Sequence, residues 1–180
     1  MFTFLISAIK IIFLLGFLIL IHETGHFVVA KLCKVRVNEF AIGFGPTIWK
    51  KQGKETKYAL RLIPLGGFIS MEGEEELSDK EGSFSKASIP KRVAIVAAGA
   101  IVNIIFALIV SGEKTGTFIT STFEGLKQLF TGKAGLDQMM GPVGISEVVA
   151  KTNGMFEFIN MIAIVSLSLG VTNLLPIPAL

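Results

Sequence analysis

The stretch LILIHETGHFVVAKL, residues 18–32, places three groups that bind metals and move protons inside one of the most apolar runs of the chain. His22 and His26 are four residues apart, so on a helix they project from one face, about 40° apart around the axis, and one metal ion can bridge them. Glu23 is offset by one residue, outside the pair but beside a water that the ion would hold. H-E-x-x-H is the zincin spacing, in which two imidazoles hold zinc and the glutamate takes a proton from the attacking water and returns it to the leaving amine. The alternative reading is an interhelical hydrogen-bonding cluster, which requires neither the spacing nor a glutamate directly after the first histidine. A catalytic zinc has three protein ligands and an open position, so the third must come from elsewhere.

Around this motif the run 2–32 holds only Lys10, His22, Glu23, His26 and Lys31 as ionisable groups, and it exceeds the roughly 20 residues that cross a hydrocarbon core. It lacks a small-residue cleavage site, which argues against a removed signal peptide. Further candidate spans cover residues 93–110 and 155–175, each near the minimum length, so tilt or local thinning of the bilayer is expected. At 51% hydrophobic residues and a mean hydropathy of +0.66, a 180-residue chain is too apolar for an ordinary soluble domain. Twelve of the seventeen Lys and Arg fall within residues 31–92, which predicts that this segment is cytoplasmic and that the motif lies toward the cytoplasmic side. The net charge of +3 then reflects topology, and no basic and aromatic stripe suits a nucleic acid. Cys33 stands alone, which excludes an internal disulfide and suits a small packing residue at the helix end.

From Val35 the helical periodicity stops. Alternation at Val35, Val37 and residues 58–63, punctuated by Gly43, Gly45, Pro46, Gly53, Gly66 and Gly67, predicts a small antiparallel sheet over 35–72. Pro64 breaks the last strand pattern, so an edge strand or a re-entrant hairpin is expected. Residues 72–86 read as a solvated loop. At the far end, Pro176 and Pro178 in NLLPIPAL interrupt a span that would otherwise be helical. Irregular backbone at membrane depth is tolerated where it is buried in protein or lines a wet cavity, so this is a second pointer to an intramembrane site. An ordinary proline kink is the alternative.

HETGH at 22–26, GFGP at 43–46, LRLIPLGGFISMEGE at 60–74, AAGAIVN at 97–103, GPVGI at 141–145 and NLLPIPAL at 173–180 together resemble the site-2 protease family. More narrowly, they look like its bacterial RseP/RasP-type members. The resemblance covers nearly the whole chain and implies a mostly α, polytopic membrane protein, with one protease core over residues 1–180. Three transmembrane helices are expected here and a fourth after Leu180, with a small cytoplasmic or membrane-associated β-sheet between the first two. The implied activity is that of an intramembrane zinc metalloendopeptidase in a multi-pass location in the cell membrane. Its implied partners are the bilayer and single-span membrane proteins, of the anti-sigma-factor type or remnants of signal peptides, cut in regulated intramembrane proteolysis.

Carried over residue by residue, the resemblance makes His22 and His26 zinc ligands and Glu23 the general base. The third ligand is expected to be an Asp just after Leu180, where the family's proline motif continues with Asp-Gly. Asp137 and Glu147 belong to a loop and Glu157 to the opposite end of the third span, so none is an attractive substitute. A PDZ domain of roughly 80–100 residues is expected between the second and third spans, and residues 111–154 are too few to hold one. Ala100 stands where the family has Pro in its A-G-P-x-x-N pattern. Asn103 still matches and is expected to bind the substrate backbone or to make an interhelical hydrogen bond. The edge strand around residues 61–69, with Arg61, Ile63, Gly66 and Gly67, would hold an unwound substrate by strand addition. Anchoring at the membrane surface through Leu62, Ile63, Leu65 and Phe68 is the other reading of the same hairpin. Asn173 is expected to bind the substrate carbonyl and stabilise charge on it. Rival readings are a non-proteolytic membrane scaffold or binding module, an inactive truncated fragment, and a transporter with a His-Glu relay. The last predicts inverted repeats, and the sequence shows none.

Overall fold

A computed structural model describes residues 2–112 and 154–174, with Thr152 and the isolated positions 120, 121, 124 and 127. Helix α1, Phe2–Leu32, leads into strands β1, Val37–Gln52, and β2, Lys57–Met71; α2, Ile89–Ser111, and α3, Met155–Leu174, follow. All three helices are long and apolar enough to span a membrane. The protein is a membrane protein, mostly helical, with one small sheet between its first two spans. Most of the expected loop at 111–154, with GPVGI, Asp137 and Glu147, lies outside the described residues, as do the prolines at 176 and 178 and any ligand after Leu180; Ser111 still belongs to α2, and positions 120, 121, 124 and 127 are helical.

α1 presents apolar side chains around its circumference, with Leu5, Ile9, Phe13 and Val28 all exposed, as suits a helix bathed in lipid rather than lying on a surface. Its end is sharply defined. Lys34 takes φ 61°, its N–H reaches the Lys31 carbonyl at 3.0 Å, and the Val35 N–H reaches the Ala30 carbonyl at 2.9 Å. This pair of bonds is the Schellman motif, with its apolar contact between Val35 and Ala30 in one buried cluster. Val35 was expected in the first strand. It belongs instead to the helix cap, because its N–H satisfies a helix carbonyl and its side chain closes the core beneath Ile95 and Met71.

The sheet is an antiparallel pair whose register changes along its length. Near the turn Gln52 faces Lys57 and Trp49 faces Leu60; the ladder is then offset where Thr47 faces Arg61 and Phe44 faces Ile63, before Ile42 faces Gly67 and Val37 faces Met71. Residues 39–42 also pair, in the parallel sense, with residues 57–60, so they have neighbours on both sides. The outer rows are therefore residues 49–52 and residues 67–71. Pro64 does not break β2, contrary to expectation, because it falls between the two registers: Ile63 pairs with Phe44 and Gly67 with Ile42, and no pairing falls at 64, so its missing N–H costs no ladder bond. At the turn, Lys31 Nζ meets Glu55 Oε2 at 2.6 Å. At the other end a Cβ on Gly16 would lie 3.1 Å from the Pro64 carbonyl. From Lys31 to Gly16 is fifteen residues, or ~22 Å at helical rise, so the sheet runs down α1 from its basic end to its middle. Phe44, Ile48, Trp49, Leu62 and Ile63 remain exposed along this descent.

Residues 72–88 are irregular but not simply solvated. Glu72 accepts from Ser78 Oγ at 2.7 Å and from Asn38 Nδ2 at 3.1 Å, and its oxygens also meet Lys80 Nζ at 3.1 Å. Ser83 is buried and Phe84 packs on the cluster around Ile95, so this loop closes the core at the end of α1. α2 begins four residues before the predicted span, because Pro90 suits the first helical turn. α3 packs on α2 through Gly170, whose added Cβ would meet the Ala100 carbonyl at 2.8 Å, and through Ser166, which donates to the Asn103 carbonyl at 3.0 Å. Ala100 thus lies in uninterrupted helix at a close helix crossing.

Candidate active site

Helical spacing brings the two histidine rings together on the face of α1 that meets α2. Their centroids are 4.7 Å apart, and Nε2 of His26 lies 3.1 Å from Nε2 of His22. Two imidazoles on one tetrahedral zinc, with Zn–N of ~2.05 Å, place their nitrogens ~3.3 Å apart. The pair is therefore within ~0.2 Å of that separation, and its donor set is the one zinc takes. Among the described residues no group of three His, Cys, Asp or Glu forms a complete metal cluster.

The far side of each ring is held by α2. His26 Nδ1 lies 2.7 Å from the Ile95 carbonyl, and His22 Nδ1 lies 3.3 Å from the side-chain amide of Asn103. Holding the second ring nitrogen fixes both the ring plane and the nitrogen left for a metal. Between these two contacts stands Gly99, where an added Cβ would lie 2.7 Å from His22 Nε2 and closer still to His26 Nε2. Gly25 of α1 approaches the same turn, with its Cβ position 2.8 Å from the Ala98 carbonyl and 3.0 Å from Gly99 Cα. The small residues let two backbones come close enough for α2 to reach the rings.

Glu23 points to the sheet. The Cβ position of Gly67 lies 3.4 Å from Glu23 Cγ and 3.3 Å from Ile19 Cγ2, so the outer row of β2 runs past the carboxylate. A side chain at 67 would fill this approach. The neighbouring Gly66 is covered by the Phe44 ring, against which any Cβ would clash. Arg61 is tied into the sheet: Nη2 donates to Glu39 Oε1 at 3.0 Å and the guanidinium stacks 4.8 Å from the Phe68 ring. Burial raises the Glu39 carboxyl, but the bonds from Lys57 and Arg61 outweigh it and hold it below the ordinary carboxylate value. Ile63 lies exposed opposite Phe44. Asn173 is exposed and lines a cleft of about 480 Å³ with Arg92, Val93, Val96, Ala97 and Leu174. Asn103, by contrast, is only 1% exposed and stands behind His22.

So the structure gathers His22, Glu23, His26, Asn103 and Gly67 at one place. It sets Arg61 and Ile63 within the hairpin and Asn173 on a separate cleft between α2 and α3, which none of those five residues lines. Sequence reasoning gave no role to Gly99, Gly25 or the Ile95 carbonyl. Two glycines in otherwise apolar spans were the available signal for the first two, while a backbone carbonyl leaves none.

The model of Peptidase family M50 matches residues 10–180. The chain belongs to Peptidase family M50. A "putative zinc metalloprotease" of Clostridium acetobutylicum is 30% identical over 274 residues, covering 92% of this chain and 81% of that protein. A "putative zinc metalloprotease" of Clostridium perfringens is 48% identical over 93 residues, covering 52% of this chain and 28% of the relative. The "regulator of sigma-E protease RseP" of Escherichia coli is 44% identical over 115 residues, covering 60% of this chain and 25% of that protein. The chain thus corresponds to only about a quarter of the length of these last two relatives. In the first alignment, 92% of 180 residues is ~166, so about 274 − 166 = 108 positions have no counterpart here. As an M50 chain with three apolar spans it is a membrane protein of a metalloprotease family.

Proposed function

We propose that this protein is an intramembrane zinc endopeptidase that cuts single-span membrane proteins, with its site toward the cytoplasmic side. The observation that carries the reading is the convergence of two Nε2 atoms at 3.1 Å on a membrane-spanning helix, with Glu23 beside them and a sheet edge running past. The roughly 108 positions of that one relative without a counterpart here amount to about the size of the domain that the resemblance leads one to expect.

His22 and His26 would hold the zinc, and an Asp beyond Leu180 is proposed as the third ligand. When bound, zinc supplies Lewis acidity that polarises the scissile carbonyl and lowers the pKa of water. Glu23 takes a proton from the attacking water and returns it to the leaving amine. A peptide bond within a helix does not offer its carbonyl, so the substrate must unwind. The outer row of β2, residues 67–71, offers it main-chain partners in the manner of strand addition, which recognises backbone without strict choice of side chain. Arg61 and Phe68 stiffen that hairpin, and Gly67 leaves room for Glu23 to reach the bound segment. Asn173, on the cleft between α2 and α3, binds the substrate carbonyl in this scheme. The basic residues of 31–92 place the hairpin turn at the cytoplasmic surface.

Glu23→Gln tests the assignment in the full-length protein with a single-span reporter. Cleavage should vanish while zinc stays near one per chain; continued cleavage would remove Glu23 from the base role. A wild-type protein that holds no zinc would favour the scaffold reading instead.

A further inference from the structure

We infer that Asn103 is a positioning residue for the first metal ligand: its amide oxygen accepts the Nδ1–H of His22 and so leaves the Nε2 lone pair for the metal. The inference rests on the zinc reading above. His26 shows the arrangement in its simplest form. Its Nδ1 lies 2.7 Å from the Ile95 carbonyl, which can only accept, so Nδ1 carries a proton and the neutral ring keeps its lone pair on Nε2.

His22 has a side chain in the corresponding place. The amide of Asn103 lies 3.3 Å from His22 Nδ1 through its nitrogen, while its Oδ1 is buried and meets no partner. A half-turn about the last bond of the side chain exchanges the two ends. With Nδ2 donating, Nδ1 is bare and the proton sits on Nε2, where it blocks a metal. With Oδ1 turned to the ring, Nδ1 keeps its proton and Nε2 is free. The orientation shown leaves Oδ1 without a partner, so hydrogen bonding alone does not choose between it and the reverse. The convergence of the two Nε2 atoms does, because a shared ion needs a lone pair on each.

Asn103 is well held for this task. It is 1% exposed, and Ser166 of α3 donates to its backbone carbonyl at 3.0 Å. Ile95, Gly99 and Asn103 recur every four residues, so one face of α2 supplies a carbonyl for His26, clearance for the ion and an amide for His22.

Zinc affinity, measured by chelator competition on the full-length protein, separates the roles. Asn103→Leu should weaken zinc on the order of 10–100-fold, the usual loss when a partner behind a ligand is removed. Asn103→Asp restores an acceptor and should stay within about threefold of wild type. Equal affinity in Asn103→Leu, or an Asn103→Asp as weak as Asn103→Leu, would overturn the inference while leaving the metal reading intact. Absence of zinc from the wild type would overturn both. Should the variants fail to fold, the 15N signals of the imidazoles in zinc-free wild-type protein decide: His22 protonated on Nδ1 supports the assignment, and His22 protonated on Nε2 refutes it.

Discussion

Replacing Gly99 by alanine tests whether the gap between α1 and α2 is built for a metal ion. The added Cβ would lie 2.7 Å from His22 Nε2 and 2.8 Å from its Cε1, against 3.4 Å for ordinary contact, so the ring must yield by about 0.7 Å. Metal–ligand distances tolerate about 0.2 Å. Moving α2 away instead is opposed from behind, where α3 meets it with Gly170 2.8 Å from the Ala100 carbonyl, as an added Cβ would measure it. Overfilling a packed site costs about 1–3 kcal/mol, and here the cost falls on the ring positions that bind metal. At 1.4 kcal/mol per decade this becomes roughly a 5–140-fold loss of zinc affinity. The assay is chelator competition, with thermal unfolding in the presence and absence of zinc. Gly99→Ala should bind weakly and gain little thermal stability from zinc, while Ile101→Ala, on the exposed side of α2, should behave as wild type. A Gly99→Ala protein that binds zinc as the parent does would show that the rings meet the ion elsewhere.

Two further outcomes concern the frame around the site. Lys34 holds φ 61° at the end of α1, a conformation that costs an L-residue about 1 kcal/mol, so Lys34→Gly should raise stability by up to about 1 kcal/mol in chemical denaturation, and Lys34→Val should lower it. Hydrogen bonds from Ser78, Asn38 and Lys80 pull Glu72 from 4.5 down to about 2. Because the folded value is the lower one, its contribution is fully present above about pH 4.5 and is lost as pH falls toward 2. Thermal unfolding followed over that window should therefore show a steeper fall for wild type than for Glu72→Gln, and identical slopes would count against the charged network as its source.

What could be read in the chain divides along physical lines. The spans, the ligand pair and the base follow from hydrophobic runs and helical spacing, which are local properties of sequence. Val35 and Pro64 went astray for the same reason: each obeys a local propensity that a longer-range hydrogen-bond pattern overrides. Val35 alternates like a strand residue, yet its N–H is needed by the Ala30 carbonyl. Pro64 breaks strands in general, yet it stands between two registers of one strand, where no pairing needs its N–H. Glu72 belongs to an acidic run that reads as solvated, and only the fold brings Asn38 and Lys80 to it. Asn103 was legible as a polar residue in an apolar span, but the partner it meets lies 81 positions earlier.

The same division explains how hydrolysis can be housed in so apolar a helix. α1 alone would give two rings free to rotate and a glutamate facing lipid. α2 removes the first difficulty, since Ile95 and Asn103 fix the rings from behind and Gly99 leaves the front open. The sheet removes the second. Its outer row descends beside α1 and brings backbone polar groups, which need partners, to the level of Glu23. A polar strand edge at that depth is tolerated only where protein, water or a substrate strand satisfies it. On the proposed function, the edge that would bind an unwound substrate would also let water reach Glu23 when no substrate is present. Gly67 is where these two requirements meet, because a side chain there would separate the strand from the carboxylate and close both.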